Sequence, residues 1–193
     1  MALKSSNEEK RSVFLPRIAQ CFADNGYRGT TTAKLAKTCQ VRENVLYRIW
    51  PSKKEMFLDC IEHIYAVTMT LWNGLEPEQS DGRSRAEMIL QYQAKDHGLL
   101  RYYRLVFAAL MEDDPDIRKS LRQLYRRFQS FLAEATQEHR ESRGISVDLD
   151  CSASAWAIMG IAAMVDIQRE LRILPAGDRE EFLINASMQL LEG

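Results

Sequence analysis

Apolar side chains recur along most of the chain at intervals of three and four residues, which is the spacing of one face of an α-helix. The first stretch shows this spacing at Phe14, Ile18, Cys21 and Phe22, and Gly26 follows as a residue suited to the left-handed conformation that ends a helix. No stretch alternates apolar and polar residues with a period of two over a useful length. The pattern therefore predicts an all-α protein.

Pro16 interrupts the first predicted helix, because an interior proline removes a hydrogen bond and costs about 3 kcal/mol. Two arrangements fit the sequence. Either Ser12 caps a helix that has Pro16 in its first turn, or a longer helix kinks at Pro16. Ser6 and Glu9 form a capping box that favours the longer, kinked helix.

The helices that follow are short. The stretch "TTTAKLAKTC" (30–39) predicts one of them, with Thr31 as its N-cap, and "RENVLYRIW" predicts the next. Pro51 ends this second short helix, and Ser52 caps a long fourth helix. Two short helices joined by a tight turn have the layout of a helix-turn-helix, here at about residues 31–50.

The strongest linker signal lies at 76–84, where Pro, Gly, Ser and Asp occur together. The long fourth helix before it contributes to both halves of the chain. We predict a DNA-binding domain at 1–57 and a second helical domain at 58–193. Further helices are predicted at about 83–96, 98–112, 116–142, 149–173 and 178–191.

The net charge of −1 hides an uneven distribution. Residues 1–55 carry eleven Lys and Arg against five Asp and Glu, a charge of +6, and the rest of the chain carries −7. A basic first part and an acidic remainder indicate a polyanion partner for the first part only.

Several other classes of protein are disfavoured by the sequence. No N-terminal export signal is present, and the longest apolar run, at 155–165, is shorter than a membrane span. We therefore expect a cytoplasmic protein. The four cysteines lie far apart, so neither a metal site nor a cofactor is predicted. No catalytic motif accompanies the three histidines, and we predict that the protein is not an enzyme.

The second short helix of the helix-turn-helix has the width to enter the DNA major groove. Its outer face carries Arg42, Asn44 and Arg48, whose side chains can make paired hydrogen bonds to guanine or adenine edges. Its inner face is formed by Val41, Val45 or Leu46, and Ile49.

The stretch "NGYRGTTTAKLAKTCQVRENVLYRIWPSKKEMF" resembles the DNA-binding region of the TetR (tetracycline-repressor) family of bacterial transcription regulators. The match runs from Phe14 to about Phe57, and its ordered residues include Gly26-Tyr27, Thr31, Leu35-Ala36, Val41, Leu46-Tyr47, Trp50 and Lys53. The resemblance implies an all-helical C-terminal part that binds a small-molecule effector and pairs two subunits.

Two residues in the turn depart from the family pattern. Gln40 stands where the family usually has glycine, and Arg42 stands where it usually has a capping Ser or Thr. We expect Gln40 to adopt a positive φ with modest strain, and Arg42 to contact a phosphate or a base.

Roles follow for nine predicted DNA contacts. Tyr47 is expected to rest its ring against the inner helices and to donate its hydroxyl to a phosphate, and Lys53, at a helix N-terminus, is expected to bind another phosphate. Without the family context, Tyr47 would be a half-buried core residue and Lys53 a solvated one. Arg28, Thr31 and Thr32 are further backbone contacts, and the candidates for base contacts are Arg42, Asn44, Val45 and Arg48.

The helix over 148–171 is apolar around much of its circumference and rich in small residues. It is predicted to pack against its own core on one side and a second subunit on the other, forming a four-helix interface with the last helix. A central core helix of one chain is the alternative. The dimer-interface candidates are Ala153, Ala157, Gly160, Met164, Phe182 and Ala186.

Large aromatic and sulfur-containing side chains suit an apolar or aromatic effector, although each of them alone is more often a core residue. Polar candidates in the same part of the chain are His63, His97 and Arg104. The predicted pocket residues are Tyr65, Met69, Trp72, Tyr103, Phe107, Met111, Phe128 and Trp156.

The sequence thus predicts a homodimeric repressor that a small molecule releases from a palindromic DNA operator. Two alternatives remain open at this point. One is a DNA-binding or architectural protein without an effector, and the other is a helical scaffold for protein interactions.

Overall fold

The computed structural model describes residues 2–75, 82–95 and 102–192 of the chain, with side chains described from residue 7 onward. Most of the predicted linker at 76–84, the predicted helix start at 98 and His97 lie outside these residues. Every regular element within them is an α-helix, as predicted. In chain order the helices are α1 (Ala2–Gly29), α2 (Thr32–Cys39), α3 (Glu43–Tyr47), α4 (Lys53–Asn73), α5 (Arg85–Ala94), α6 (Tyr102–Leu110), α7 (Pro115–Arg143), α8 (Cys151–Leu171) and α9 (Ala176–Glu192).

The contacts between residues divide the chain into two compact units. Unit 1 comprises Met1–Thr68 and Arg101–Leu124, and unit 2 comprises Met69–Leu100 and Tyr125–Gly193. Helices α4 and α7 therefore contribute to both units. The boundary predicted after residue 57 separates a DNA-binding domain from a second helical domain by their expected functions. It stays a prediction.

Helix α1 is the longer of the two arrangements considered for this segment, with Pro16 in its interior. It begins at Ala2, so Ser6 lies inside the helix and the predicted start at a Ser6–Glu9 capping box is wrong. The residue with non-helical backbone angles is Gly26 (φ 69°, ψ 171°). The break in α1 therefore lies at the predicted glycine stop and not at the proline. A positive φ carries little penalty at glycine because glycine has no Cβ.

Unit 1 is organised around apolar side chains from helices that are distant in sequence. Phe22 of α1 and Phe57 of α4 meet edge to face, with ring centroids 4.8 Å apart, and the ring of Tyr27 lies 4.8 Å from that of Phe57. Leu35 of α2 and Leu46 of α3 are completely buried. Helix α6 packs along α1. These contacts attach the two short helices to a rigid support.

In unit 2, α5 and α8 both pack on α9. The centre of this packing is the apolar cluster of Ala94, Val165 and Leu183. Trp72, at the end of α4, stacks on Phe131 and tilts against Phe128, with centroids 5.7 and 5.5 Å away.

A buried arginine ties together three parts of unit 2. Arg140 of α7 donates to the carbonyl oxygens of Leu149, Leu190 and Leu191 at 2.6, 2.9 and 3.0 Å, and to Ser154 Oγ at 2.8 Å. The carbonyl groups at the C-terminal end of α9 lack helical partners of their own, and a cation there also favours the helix dipole. The guanidinium therefore connects the end of α9 to α7 and to the start of α8.

His139 lies one residue earlier and is also buried. Its Nδ1 is 2.8 Å from Ser84 Oγ, and burial lowers the pKa of the imidazole. Ser84 forms a capping box with Glu87 at the start of α5. Burial alone would raise the pKa of Glu87, but the hydrogen bond from the Ser84 N–H and the charge of Arg143 outweigh it, so the pKa is lowered. The start of α5 is thereby attached to α7.

Candidate nucleic-acid interface

Helix α2 begins where the sequence predicted. The Thr31 side chain accepts a hydrogen bond from the Lys34 N–H at 3.2 Å and so caps the helix. Leu35, Ala36 and Cys39 face the core, while Thr31 is exposed and Thr32 is half-buried.

The turn between α2 and α3 is a Schellman motif built without glycine. Gln40 has the left-handed angles φ 59° and ψ 38°, and its N–H donates to the Lys37 carbonyl at 3.1 Å. The Val41 N–H donates to the Ala36 carbonyl at 3.0 Å. Both bonds are those that define the motif. The predicted positive φ is confirmed, and its steric cost at a non-glycine residue is about 1–2 kcal/mol.

Helix α3 begins without a side-chain cap, because Arg42 makes no capping hydrogen bond. Its inner side is anchored by the fully buried Leu46, and Val45 is half-buried. Arg42, Asn44 and Arg48 are exposed, and within the described residues their side chains make no hydrogen bond or ion pair. These three polar groups are thus available to an external partner.

A network that the sequence did not reveal fixes the end of α3. Trp50 is buried, and its indole Nε1 donates to Asp59 of α4. Arg11 of α1 forms an ion pair with the same carboxylate, and its guanidinium lies 5.9 Å from the centroid of the Trp50 ring. Trp50 and Asp59 are 9 residues apart and Arg11 and Asp59 are 48 apart, so no local pattern links the three residues. Together they hold the C-terminal side of α3 between α1 and α4.

The residues predicted to contact the DNA backbone at the edges of α3 differ in their exposure and in their bonds within the protein. Tyr47 is 47% exposed, so its ring is only partly covered by the inner helices. Arg28 is also exposed, but its Nε lies 3.2 Å from Glu112 Oε2. Glu112 follows α6 and is almost buried, so it fixes one side of the Arg28 guanidinium.

Lys53 is placed differently from the other predicted contacts. Its Nζ donates to the carbonyl oxygens of Tyr27 and Thr30 at 3.0 and 3.1 Å and lies 4.2 Å from the centroid of the Tyr27 ring. Neighbouring Lys54 pairs with Asp116 and Asp114 at 2.6 and 3.4 Å. Both lysines at the start of α4 are therefore engaged within unit 1.

Burial disfavours ionisation of two thiols of unit 1, those of Cys39 and Cys60. It raises the pKa of Cys39 to about 11, and it raises the pKa of the Cys60 thiol well above its ordinary value. Because the thiolate is the reactive form, this environment disfavours thiol chemistry at neutral pH.

The eight effector-pocket candidates are split equally between the two units. Tyr65, Tyr103, Phe107 and Met111 belong to unit 1, and Met69, Trp72, Phe128 and Trp156 belong to unit 2. Met111 is 77% exposed just past the end of α6. Trp72 is buried against Phe128, and its indole Nε1 has no hydrogen-bond partner within the described residues.

The dimer-interface candidates occupy the outer side of α8 and α9. Met164 and Phe182 are 47% and 40% exposed, and Gly160 is exposed as well. Trp156 is also 47% exposed. It lies four residues before Gly160 and therefore on the same side of α8 as that candidate. The other three candidates, Ala153, Ala157 and Ala186, are half-buried.

Helix α8 is long and apolar enough to cross a membrane, judged by length and composition within the described residues. Core helices of soluble proteins pass the same test, so this property is weak support for a membrane span. Among the described residues, the exposed apolar side chains of α8 include Trp156 and Met164.

Comparisons with known proteins match this chain along most of its length. A family model described as bacterial regulatory proteins of the TetR family matches residues 16–60. The nucleoid occlusion factor SlmA of Vibrio cholerae is 29% identical over 189 residues, which cover 94% of this chain and 95% of that protein. SlmA of Vibrio campbellii is 32% identical over 161 residues, or 81% of each chain. A crystal structure of a TetR-family transcriptional regulator from Rhodococcus sp. matches the fold with a TM-score of 0.81 at 17% identity, covering 96% of this chain and 100% of that one.

Proposed function

Because this chain belongs to the TetR family of bacterial regulatory proteins and is a DNA-binding regulator, we propose that it is a repressor released from a palindromic operator by a small apolar or aromatic effector. The family is generally non-enzymatic, and a DNA-binding regulator of this kind is expected to be soluble and cytoplasmic. Its members bind DNA and dimerise. The operator contacts, the dimer surface and the effector response are the parts that we propose.

The observation that carries the DNA-binding proposal is the outer side of α3. Arg42, Asn44 and Arg48 are exposed at α3 and its two caps, and their side chains make no bond among the described residues. The other side of this segment is held by the buried Leu46 and Trp50. Side chains that contact bases need such a rigid support, because one base contact contributes only about 1–3 kcal/mol of discrimination. We assign these three residues, with Val45, to base contacts.

Phosphate contacts at the edges of α3 would set the register on the duplex. We assign them to the exposed or half-exposed Arg28, Thr31, Thr32 and Tyr47. The hydroxyl of Thr31 also caps α2, and a hydroxyl has the capacity to accept one bond and donate another. Lys53 is set apart from this group because two of the three N–H groups of its ammonium donate to carbonyl oxygens and the ammonium also lies over the Tyr27 ring.

A homodimer through α8 and α9 accounts for the exposed apolar side of α8. Two copies related by a two-fold axis would cover Gly160, Met164 and Phe182, together with Trp156. They would also present two copies of α3 to half-sites about 34–36 Å apart, which is one turn of the double helix. A palindromic operator is the expected consequence of that symmetry.

The aromatic cluster of unit 2 supports an aromatic effector. Trp72 packs against Phe128, and its Nε1, which has no hydrogen-bond partner in the described part of the chain, offers a hydrogen bond to an acceptor on a ligand. An effector that binds better to a form with low DNA affinity would oppose DNA binding by a reciprocal coupling of about 1–3 kcal/mol. If the affinity of every ligand found by thermal-shift screening is unchanged by bound DNA, the protein regulates without an effector.

The decisive experiment for DNA binding is selection of bound sequences from random duplex DNA by the purified protein. The expected product is a palindrome whose half-sites are one helical turn apart, and the Arg48→Ala variant should fail to enrich it. A monomeric protein that ignores duplex DNA even at low salt would refute the proposal.

A second candidate function is suggested by the relatives named nucleoid occlusion factors. That of Vibrio cholerae matches 94% of this chain and not only the helix-turn-helix. Deletion of the gene separates the two candidates. Loss of a repressor alters the transcription of genes near its binding sites, and unchanged transcription there would favour the second candidate.

A further inference from the structure

The C-terminal end of α1 leaves main-chain acceptors beside the start of α4. Because helical geometry breaks at Gly26, the carbonyl groups that follow lack the partners that a continuing helix would supply. Lys53 supplies partners for two of them, the carbonyl oxygens of Tyr27 and Thr30, at 3.0 and 3.1 Å. The same ammonium lies over the face of the Tyr27 ring at 4.2 Å, which adds a cation–π contact.

The acceptors themselves are held firmly. Thr30 is completely buried, and its hydroxyl donates to the Gly26 carbonyl at 2.7 Å. The Tyr27 ring packs on Phe57 of α4. Lys53 therefore donates to a fixed stretch of main chain and not to a mobile side chain.

These bonds connect two points of the chain that bracket the whole helix-turn-helix. Residues 31–50 lie between Thr30 and Lys53. A bond between the two ends of a segment removes freedom from everything within it. The position of α3 relative to α1 and α4 therefore depends on Lys53, although Lys53 lies outside α3.

We propose that Lys53 is a positioning residue, which closes the helix-turn-helix by bonding to the carbonyl oxygens of Tyr27 and Thr30 and is not one of the residues that contact phosphate. Its contribution to DNA binding is then indirect. It holds α3 in the orientation in which its side chains meet base edges, and it adds nothing to the number of phosphates neutralised.

The two roles differ in measurable ways. Loss of a phosphate contact weakens binding to all sequences alike and lowers the slope of log affinity against log salt by about 0.9 for each contact removed. Loss of a positioning residue leaves that slope unchanged and weakens binding to the specific sequence only, because base contacts depend on precise orientation and phosphate contacts much less so.

The test uses the full-length protein and its Lys53→Met variant with two fluorescent duplexes, the sequence selected by the wild-type protein and a scrambled version of it. The matched control is Lys37→Met. Lys37 is exposed on α2, and its ammonium has no hydrogen bond or ion pair within the described part of the chain, so this variant loses the same charge without the two carbonyl bonds.

We expect Lys53→Met to bind the selected duplex at least tenfold more weakly while its affinity for the scrambled duplex stays within about twofold of wild type. The salt slope on the scrambled duplex should not change. Hydrogen exchange of residues 31–50 in the DNA-free protein should become faster in Lys53→Met and not in Lys37→Met.

Equal weakening on both duplexes, with a slope reduced by about 1.8 for the two subunits of a dimer, would overturn the inference and make Lys53 a phosphate contact. If Lys53→Met does not fold, Lys53→Gln is measured instead. Glutamine keeps an N–H donor without the charge, and the salt slope again decides between the two roles. The affinity measurements rest on the proposed function, because they use the DNA sequence that the wild-type protein selects. A failed selection would contradict the proposed operator, and hydrogen exchange in the DNA-free protein would still test the role of Lys53.

Discussion

Arginine serves opposite purposes in the two units. In unit 1, Arg42 and Arg48 are exposed on α3 and their side chains have no hydrogen bond or ion pair within the residues described. In unit 2, Arg140 is 6% exposed and donates to three carbonyl oxygens and a hydroxyl. Two arginines are thus exposed without a bond among the described residues, whereas a third holds the fold together. The contacts of a residue, and not its type, identify a binding residue.

The buried cation offers the most severe test of this contrast. Arg140→Met should lower the free energy of unfolding by about 3–5 kcal/mol, because the carbonyl groups at the end of α9 and before α8 lose a charged donor inside the protein. Chemical denaturation measures the effect. Arg126→Met is the control, since Arg126 is exposed on the same helix. If both variants lose equal stability, Arg140 does not hold the end of α9 and the start of α8 to α7.

A largely covered carboxyl group in unit 2, that of Asp166, predicts a dependence of stability on pH. Burial raises the pKa of Asp166 to about 6, and the ion pair with Arg169 only partly offsets it. The folded protein therefore holds a proton that the unfolded chain releases near pH 4. Stability from this group is complete below pH 4 and falls by about 2–3 kcal/mol as the pH rises through 6.

The comparison that isolates this effect is denaturation of the wild type and of Asp166→Asn between pH 3.5 and pH 7.5. The variant cannot ionise at this position, so the difference in unfolding free energy between the two proteins should change over this interval. A difference that is constant with pH would show that Asp166 ionises normally in the folded protein.

In contrast to Arg140, the exposed arginines should affect DNA binding and not stability. Arg48→Ala is expected to weaken binding to the selected DNA sequence by roughly 10- to 100-fold, since a paired contact to a base contributes about 1–3 kcal/mol. Its denaturation midpoint should stay at the wild-type value. Fluorescence anisotropy and thermal unfolding give the two quantities, and a large loss of stability would place Arg48 among the structural arginines.

The smallest effect is expected at an exposed ion pair. Asp113 pairs with Arg118 at the start of α7, and the Asp113 side chain is 89% exposed. Solvent screens such a pair, and holding two long side chains in place costs entropy. Asp113→Asn should leave both the thermal midpoint and the DNA affinity unchanged. A clear shift in either would mean that exposed charges in unit 1 contribute more to its fold than their geometry indicates.

Much of the fold followed from local rules. Apolar spacing predicted the helices, and the capping roles of Thr31 and Ser52 are present in the structure. The stop at Gly26 and the left-handed turn at Gln40 were also predicted correctly. These features depend on neighbours within about four residues, so a sequence pattern is sufficient to find them.

The sequence alone determined that this protein is helical, that its second and third helices form a helix-turn-helix, and which side chains α3 turns outward. Only the tertiary structure decided which cations remain free, because Lys53, Arg11 and Arg140 meet partners 9 to 51 residues away. Periodicity fixes the side of a helix on which a residue lies, whereas the packing of distant helices fixes what that residue contacts.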